Sequence, residues 1–181
     1  MIDTIFNYYE QYGNHDYIGE EVSQISHMIQ AAMLAEDNNE SIEIVLACLF
    51  HDIGHLLQID STTNKMNKYG TKYHEKIGKQ FLLDCNIPEP IPSLVQNHVK
   101  AKKYLVSTQP NYFNTLSNAS KQTFIFQGGI MNKREIQEFE QDELFEMSLK
   151  VRFYDDKAKV SDIKIKNLDN YKKMLIKYLN K

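Results

Sequence analysis

The chain has 181 residues, of which 42% are hydrophobic and 25% are charged, and its formal net charge is −3. This size suits one globular domain that buries its core without disulfides, and the modest charge argues against a general nucleic-acid or membrane-surface binder. The N-terminus shows no signal-peptide pattern, and no run approaches the roughly 18 apolar residues of a membrane span. We therefore expect a cytoplasmic protein.

The spacing of apolar residues predicts an all-α fold. Glycine and proline are scarce, at 7 and 4 residues, and apolar side chains recur every three or four positions more often than they alternate. Ser41 is expected to cap the third helix. The helices are predicted over 2–12, 20–37, from 42 through Ile53, 72–85, 91–105, 112–126, 133–156 and 168–179, with a polar loop over 59–70.

Nothing in the chain indicates a second domain. We find no internal repeat, no low-complexity tract and no credible boundary, so residues 1–181 are predicted to form one compact helical bundle. The last helix, about 167–180, is expected to pack against this bundle and close it. Cys48 and Cys85 belong to no CxxC motif or disulfide framework, so we expect two buried structural thiols, which suits a reducing compartment.

A histidine and an aspartate, His51 and Asp52, lie inside the strongly apolar segment LFHDIGHLL, residues 49–57. Burying such a pair costs free energy unless both groups find partners. A divalent metal is such a partner, because imidazole nitrogen and carboxylate oxygen are good ligands for iron, manganese or zinc. Neighbouring helical residues diverge by about 100 degrees, so the pair suits one metal or a carboxylate that bridges two. His55, one turn after His51, is expected to contact a metal, a ligand or the substrate.

Further histidines recur at regular spacing on separate predicted helices. His27 lies 24 residues before His51, His74 lies 23 residues after it, and His98 follows after a further 24. Helical bundles build metal sites from inward-facing residues on different helices. We therefore predict that these histidines converge on the His51-Asp52 pair together with Asp155, in the segment RFYDD. His15, in a polar stretch, is expected to be exposed to solvent.

The order H…HD…H…H…D resembles the HD-domain superfamily, whose members are mostly metal-dependent phosphohydrolases. The version with two extra histidines before the last aspartate resembles its two-metal branch. This resemblance implies a metal core within about residues 16–156. It implies one metal held by His27, His51, Asp52 and Asp155, and another held by His74 and His98 with Asp52 as the bridge.

Longer segments resemble the PhnZ-type di-iron oxygenases of this superfamily, which cleave a carbon–phosphorus bond. They are DYIGEEVSQISH (16–27), HDIGHLL (51–57), NHVKAKKYL (97–105), LSNASKQT (116–123), FQGGIM (126–131) and FEQDELF (139–145). The resemblance implies two iron ions in the mixed-valent Fe(II)/Fe(III) state and dioxygen as co-substrate. It implies (R)-2-amino-1-hydroxyethylphosphonate as the substrate, which is converted to glycine and phosphate.

Such a substrate carries a phosphonate at one end and an ammonium at the other. Lys102 lies one turn after His98, so its ammonium shares the face of that histidine. Arg152 lies three residues before Asp155, and its planar guanidinium suits a phosphonate. Both side chains are therefore predicted to contact the phosphonate.

The resemblance implies roles for Ser120, Glu20 and Tyr17. Ser120 corresponds to a hydroxyl donor to the phosphonate, and His55 is a second possible donor. Glu20 corresponds to the carboxylate that pairs with the substrate's ammonium. Tyr17 corresponds to a tyrosine that occupies an iron site and gives way when the substrate binds.

Three alternatives remain open at this point. A phosphohydrolase of the same fold, acting on a phosphomonoester or nucleotide, uses the same metal ligands. A non-catalytic HD module that binds an anion is disfavoured by the intact ligand set. A related oxygenase acting on an N-methylated aminophosphonate or a polyol is the third, although the chain shows no clear aromatic cage for a quaternary ammonium. The expected partner is a small anionic aminophosphonate, with no nucleic acid, membrane or obligate protein partner.

Overall fold

Helices make up the regular secondary structure of the described chain. The computed structural model describes residues 1–17, 19–57, 65–67 and 69–180. Within these ranges the helices are α1 (Ile2–Tyr12), α2 (Gln24–Asp37), α3 (Ile42–Phe50), α4 (Ile53–Leu57), α5 (His74–Asp84), α6 (Ile91–Thr108), α7 (Tyr112–Thr115), α8 (Asn118–Phe126), α9 (Lys133–Glu140), α10 (Phe145–Lys157) and α11 (Leu168–Leu179). The same residues form no strand, only two isolated bridges. The predicted all-α class is confirmed.

Four helices surround the centre of the molecule. α2 packs against α3 and α10, and α6 packs against the same two helices. α3 is the most apolar of the four, because every residue from Ile44 to Phe50 is buried. Burying one large apolar side chain stabilises the fold by about 1.5–3 kcal/mol relative to leaving it in water. Polar side chains that point inward from these helices therefore meet in one apolar region.

Other helices cover this centre. α5 packs on α4 and α6, and α11 packs on α1 and α3. Tyr171 and Leu175 of α11 are buried, and the Tyr171 hydroxyl donates to the Glu36 carboxylate at 2.8 Å. The predicted closing helix is thus present with the expected bounds. None of the helices in the described ranges has both the length and the apolar character needed to cross a membrane.

Side-chain caps decide where several helices begin. Ser23, Ser41 and Ser117 each accept a hydrogen bond from the backbone N–H three residues later. Each bond satisfies a donor that the first turn of a helix leaves open. Asn132 and Glu135 form a capping box at the start of α9. The cap predicted at Ser41 is confirmed.

The structure divides or shortens several predicted helices. The helix predicted to begin at residue 20 begins at Gln24, because Ser23 caps it. The segments predicted as single helices over 112–126 and 133–156 each form two helices. Of the predicted loop over 59–70, residues 59–64 and 68 lie outside the described ranges, and its other residues are not helical.

The His51-Asp52 pair lies in a turn, where the sequence predicted a continuous helix. α3 ends directly before the pair and α4 begins directly after it. A Cβ atom on Gly54 of α4 would lie 2.0 Å from the backbone oxygen of His74. The backbones of α4 and α5 therefore approach so closely that only glycine fits between them.

We expect Gly54→Ala to lower the free energy of unfolding by about 3 kcal/mol, because its methyl group forces α4 and α5 apart. Chemical denaturation measures this loss. Gly78→Ala is the matched control, since its nearest neighbour is a methyl carbon of Ile53 at 3.2 Å and alanine favours the helix. Equal losses in the two variants would contradict the importance of the backbone contact.

The two cysteines are free and buried, as predicted. Burial raises the pKa of the Cys48 thiol well above its ordinary value, with smaller contributions from nearby carboxylates. A thiol in this state is a poor nucleophile. Cys48 therefore contributes packing to α3.

Candidate metal centre

All the predicted metal ligands meet at the centre of the four helices. They are His27 of α2, His51 and Asp52 of the turn after α3, His74 of α5, His98 of α6 and Asp155 of α10. Each is buried, with at most 4% of its surface exposed. The structure therefore brings together residues that are up to 128 positions apart in the sequence.

Asp52 lies between two pairs of histidines. Its Oδ2 atom is 3.7 Å from His27 Nε2 and 3.4 Å from His51 Nε2. Its Oδ1 atom is 3.3 Å from His74 Nε2 and 3.7 Å from His98 Nε2. One carboxylate therefore faces both pairs, which is the arrangement of a bridging ligand.

Asp155 faces the first pair. Its Oδ1 atom lies 3.3 Å from His27 Nε2, and its Oδ2 atom accepts a hydrogen bond from Arg152 at 2.7 Å. Arg152 also donates to Asp156 and, at 3.0 Å, to the Tyr112 hydroxyl. Burial opposes the charged form of Asp155, but the Arg152 guanidinium and the nearby imidazoles together outweigh it and hold the pKa of this carboxyl well below its usual range. Arg152 thus orients Asp155 as well as lining the site.

Backbone carbonyl groups determine where four imidazole rings carry their hydrogen. The Nδ1 atoms contact carbonyl oxygens as follows: His27 with Ala158 at 2.8 Å, His51 with Cys48 at 2.8 Å, His74 with Thr71 at 3.2 Å, and His98 with Val95 at 2.6 Å. A carbonyl oxygen only accepts, so Nδ1 carries the hydrogen and Nε2 of each neutral ring presents a lone pair. Histidines that ligate metals are held in this way.

These lone pairs face each other within each pair. The Nε2 atoms of His27 and His51 are 3.0 Å apart, and those of His74 and His98 are 3.2 Å apart. Two such nitrogens repel each other unless a cation lies beside them. A separation of about 3 Å is also what two metal–nitrogen bonds of about 2.1 Å at a right angle produce. Asp52 Oδ2, buried and without a hydrogen-bond partner among the described residues, adds an anionic donor. The donors therefore fit two divalent metal ions.

The electrostatics of the centre also favour a cation. Burial lowers the pKa of His51, but the carboxylates of Asp52 and Asp155 outweigh this effect and raise it to about 9. His98 behaves differently, because burial and then the neighbouring imidazoles of His51 and His74 lower its pKa well below the ordinary value. A proton on His51 thus offsets the negative charge of these two carboxylates, which a bound metal ion would offset in its place.

His55 has the opposite hydrogen position. Its Nδ1 atom accepts a hydrogen bond from the backbone N–H of Thr71 at 3.0 Å, so the hydrogen of the neutral ring is on Nε2. That atom lies 3.9 Å from Asp52 Oδ1. Burial lowers the pKa of His55 to about 3, which keeps the ring neutral. Of the roles that the sequence left open, this geometry favours a hydrogen-bond donor over a metal ligand.

A cavity of about 330 Å³ is lined by His74 and His98 of the second pair and by Asp52 and Asp155, the carboxylates that face the first pair. This volume suits a small molecule. The predicted residues on its wall are Tyr17, His55, Lys102, Ser120 and Arg152. Gln24, Thr71, Thr123 and Gln127 also line it, although sequence reasoning did not select them. His15 is exposed, as predicted, and reaches the rim of the cavity.

Lys102 brings a buried positive charge to the cavity wall. Only 4% of its surface is exposed, and its ammonium donates to Thr123 Oγ1 at 2.9 Å. No carboxylate among the described residues forms an ion pair with it. Burial, followed by the positive charge of Arg152, lowers the pKa of Lys102 to about 7. An anion in the cavity would stabilise this ammonium.

Tyr17 lies against the first histidine pair. Its ring stacks on that of His27, with centroids 4.2 Å apart and planes 15° from parallel. Burial and the nearby charges of Asp52 and Asp155 raise the pKa of Tyr17 well above the ordinary value. Its hydroxyl therefore keeps its proton and faces the region where the sequence predicted an exchangeable iron position.

Glu20 does not line the cavity in this structure. Its carboxylate accepts a hydrogen bond from Lys159 at 3.0 Å, and the same ammonium donates to Ser117 at 3.3 Å and Ser120 at 3.2 Å. Ser120 itself lines the cavity. Sequence reasoning missed Lys159, although its position one turn after Asp155 was an available signal.

Comparison with known proteins identifies the family. The HD-domain family model matches residues 25–144. The chain belongs to the HD-domain family. It is also 47% identical over 179 residues to an uncharacterised protein of Acanthamoeba polyphaga mimivirus, covering 99% of this chain and 82% of that protein.

Two further relatives carry functional names. The [1-hydroxy-2-(trimethylamino)ethyl]phosphonate dioxygenase (glycine-betaine-forming) of Leisingera caerulea is 33% identical over 181 residues, covering 100% of this chain and 91% of that protein. The hydroxymethylphosphonate dioxygenase of Gimesia maris is 35% identical over 170 residues, covering 94% of this chain and 84% of that protein. The predicted resemblance to the oxygenase branch of HD-domain proteins is confirmed.

Proposed function

We propose that this protein is an HD-domain oxygenase that uses dioxygen to cleave the carbon–phosphorus bond of a 1-hydroxylated phosphonate. The observation that carries the proposal is the pair of buried cations, Lys102 and Arg152, on the wall of a small cavity that adjoins two groups of metal-binding side chains. The names of two relatives support the same chemistry. The substrate we propose is (R)-2-amino-1-hydroxyethylphosphonate, with glycine and phosphate as products.

The two groups of donors are proposed to hold two iron ions in the mixed-valent Fe(II)/Fe(III) state. The first ion would be held by His27, His51, Asp52 and Asp155, and the second by His74, His98 and Asp52. Bound iron supplies the redox chemistry with dioxygen that side chains alone cannot perform. We also propose that residues 1–181 form one HD domain, with its metal core within about residues 16–156.

The side chains of the cavity position the phosphonate end of the substrate. Lys102 and Arg152 offset its negative charge, and the Ser120 hydroxyl and His55 Nε2–H supply neutral donors. Tyr17 covers the His27 side of the cavity and limits the entry of water. These groups hold the C1 carbon of the substrate beside the metal-binding side chains.

An oxidation is needed because a carbon–phosphorus bond has no oxygen leaving group. One dioxygen molecule supplies both new oxygen atoms, one in the carboxylate of glycine and one in phosphate. The overall equation balances without an external reductant. We therefore expect one dioxygen molecule consumed for each phosphate released.

The test measures phosphate release and dioxygen consumption by the iron-loaded protein, in air and under strict anaerobiosis. We expect equimolar consumption and release in air with (R)-2-amino-1-hydroxyethylphosphonate, and no phosphate without oxygen. Mössbauer spectroscopy of the aerobically purified protein tests the Fe(II)/Fe(III) pair. Equal phosphate release without oxygen, or activity confined to phosphomonoesters or nucleotides, would instead establish the hydrolase alternative, which uses the same ligands.

A further inference from the structure

We infer that Lys159 determines how well the cavity accepts a substrate that carries an ammonium group, because it occupies the carboxylate of Glu20. This inference rests on the proposed function and on Glu20 as the partner of a substrate ammonium. It states that a substrate with its own ammonium must compete with Lys159, whereas a substrate without one does not. Lys159 is therefore a specificity-determining residue.

The ammonium of Lys159 has a complete set of acceptors. An ammonium has three N–H donors. Those of Lys159 face Glu20 Oε1 at 3.0 Å, Ser117 Oγ at 3.3 Å and Ser120 Oγ at 3.2 Å. The side chains of Lys159 and Glu20 are only 14% and 12% exposed. A second ammonium at this carboxylate would have to displace one of these contacts.

The backbone on both sides of Lys159 is fastened to α2. The carbonyl oxygen of Ala158 contacts His27 Nδ1 at 2.8 Å. The buried amide of Gln30 donates to the Val160 carbonyl oxygen at 2.9 Å and accepts from the Val160 N–H at 3.0 Å. These bonds fix the position from which the lysine side chain starts. The ion pair with Glu20 is therefore built into the fold and differs from a chance contact of a surface lysine.

Lys159 also acts on the phosphonate end of the cavity. Because its ammonium donates to Ser120 Oγ, the hydroxyl hydrogen of Ser120 must be donated elsewhere, and Ser120 lines the cavity. Lys159 thus favours an anion beside Ser120 while it neutralises Glu20. Both effects bear on how well the cavity accepts (R)-2-amino-1-hydroxyethylphosphonate relative to a 1-hydroxylated phosphonate without an ammonium.

The test compares Lys159→Met with the natural protein, both as the iron-loaded full chain. The two probes are (R)-2-amino-1-hydroxyethylphosphonate and hydroxymethylphosphonate, which lacks the ammonium. We expect the ratio of their kcat/KM values to shift toward the ammonium substrate by roughly tenfold or more, because Glu20 then has no competing cation. Anaerobic titration calorimetry with the same two compounds supplies a binding ratio that is independent of turnover.

Two controls isolate the effect to the ion pair. Lys157→Met removes an exposed lysine two residues away and should leave the ratio unchanged. In a Glu20→Gln background, Lys159→Met should cause no further shift, because the contested carboxylate is gone. Lys159→Gln removes the charge but keeps donors for Ser117 and Ser120, and it replaces the methionine variant if that protein is unstable.

The outcomes separate this inference from the proposed function. An unchanged ratio in Lys159→Met, with oxygen-dependent phosphate release from both compounds, overturns the inference and leaves the proposed function in place. A shift of equal size in the Glu20→Gln background overturns it as well. Failure of the natural protein to release phosphate from any phosphonate overturns the proposed function, and the calorimetric ratio then tests Lys159 by itself.

Discussion

Replacing Asp52 with alanine is expected to remove both of the proposed metal ions and all activity. The physical reason is that its two carboxylate oxygens face different histidine pairs, at 3.4 Å from His51 Nε2 and 3.3 Å from His74 Nε2. Without this carboxylate each pair of imidazoles lacks the shared negative charge that stabilises a divalent cation. Metal content per chain, measured on the purified variant, checks the result.

Asp155→Ala is the matched control for this prediction. Asp155 is also a buried carboxylate, but its Oδ1 atom lies 3.3 Å from His27 Nε2 and so faces the first pair. We expect this variant to keep about one metal ion per chain, at His74 and His98. Two metal ions retained in Asp52→Ala, or none in Asp155→Ala, would contradict the bridging geometry.

Lys102→Met is expected to lower kcat/KM for phosphonates by roughly 100-fold, or about 3 kcal/mol, with metal content unchanged. Its ammonium is buried on the cavity wall and lacks a carboxylate partner among the described residues, so its loss removes a charge that an anionic substrate needs. Steady-state kinetics and metal analysis of the same preparation test this. Lys103→Met removes the neighbouring lysine, which does not line this cavity, and should leave kcat/KM within a small factor.

The pKa of Lys102 gives this prediction a second measurement. Burial and Arg152 lower it to about 7, while Asp155, Asp52 and Asp156 act in the opposite direction. Only the protonated form attracts a phosphonate, so affinity should fall as the pH rises through about 7. The phosphonate itself also ionises, and dividing the affinity of the natural protein by that of Lys102→Met at each pH cancels this effect. If the ratio of the two affinities stayed constant from about pH 6 to about pH 9, on both sides of the pKa, Lys102 would not titrate with binding.

The lowered pKa of Lys102 also makes the free energy of unfolding depend on pH. The ordinary pKa of a lysine is 10.5, so the unfolded chain binds more protons at this residue than the folded chain between pH about 7 and about 10.5. The contribution of Lys102 to the free energy of unfolding therefore increases with pH across this window. A phosphonate in the cavity should reduce the increase, because it restores the protonated form.

The convergence of the predicted metal ligands was the most predictable part of the molecule. Imidazoles at intervals of 24, 23 and 24 residues had to lie on different helices, and buried polar groups on packed helices need common partners. Helix boundaries were less predictable, because tertiary contacts decide them. Nothing in the local sequence reveals that Gly54 meets the backbone of His74 or that the chain turns at His51-Asp52.

The surroundings of the cavity were harder to foresee. The sequence places Glu20 and Lys159 139 positions apart, and only the path of the chain after α10, back across α2, joins them. Arg152 was expected to contact the phosphonate, yet much of its guanidinium is engaged by Asp155 and Asp156. Helical periodicity predicts the helix face on which a side chain lies, but it does not predict which neighbouring residues contact that side chain.

The main-chain acceptors of the four imidazole rings have an evolutionary consequence. A carbonyl oxygen stays in place whichever side chain its residue carries, so substitutions at Ala158, Cys48, Thr71 or Val95 do not by themselves delete the groups that aim the rings. Side chains that contact the substrate are not protected in this way, because a substitution there changes the contact itself. The ring orientations are therefore insulated from substitutions nearby, and acquiring a new substrate needs changes at the cavity wall while the inherited centre is kept intact.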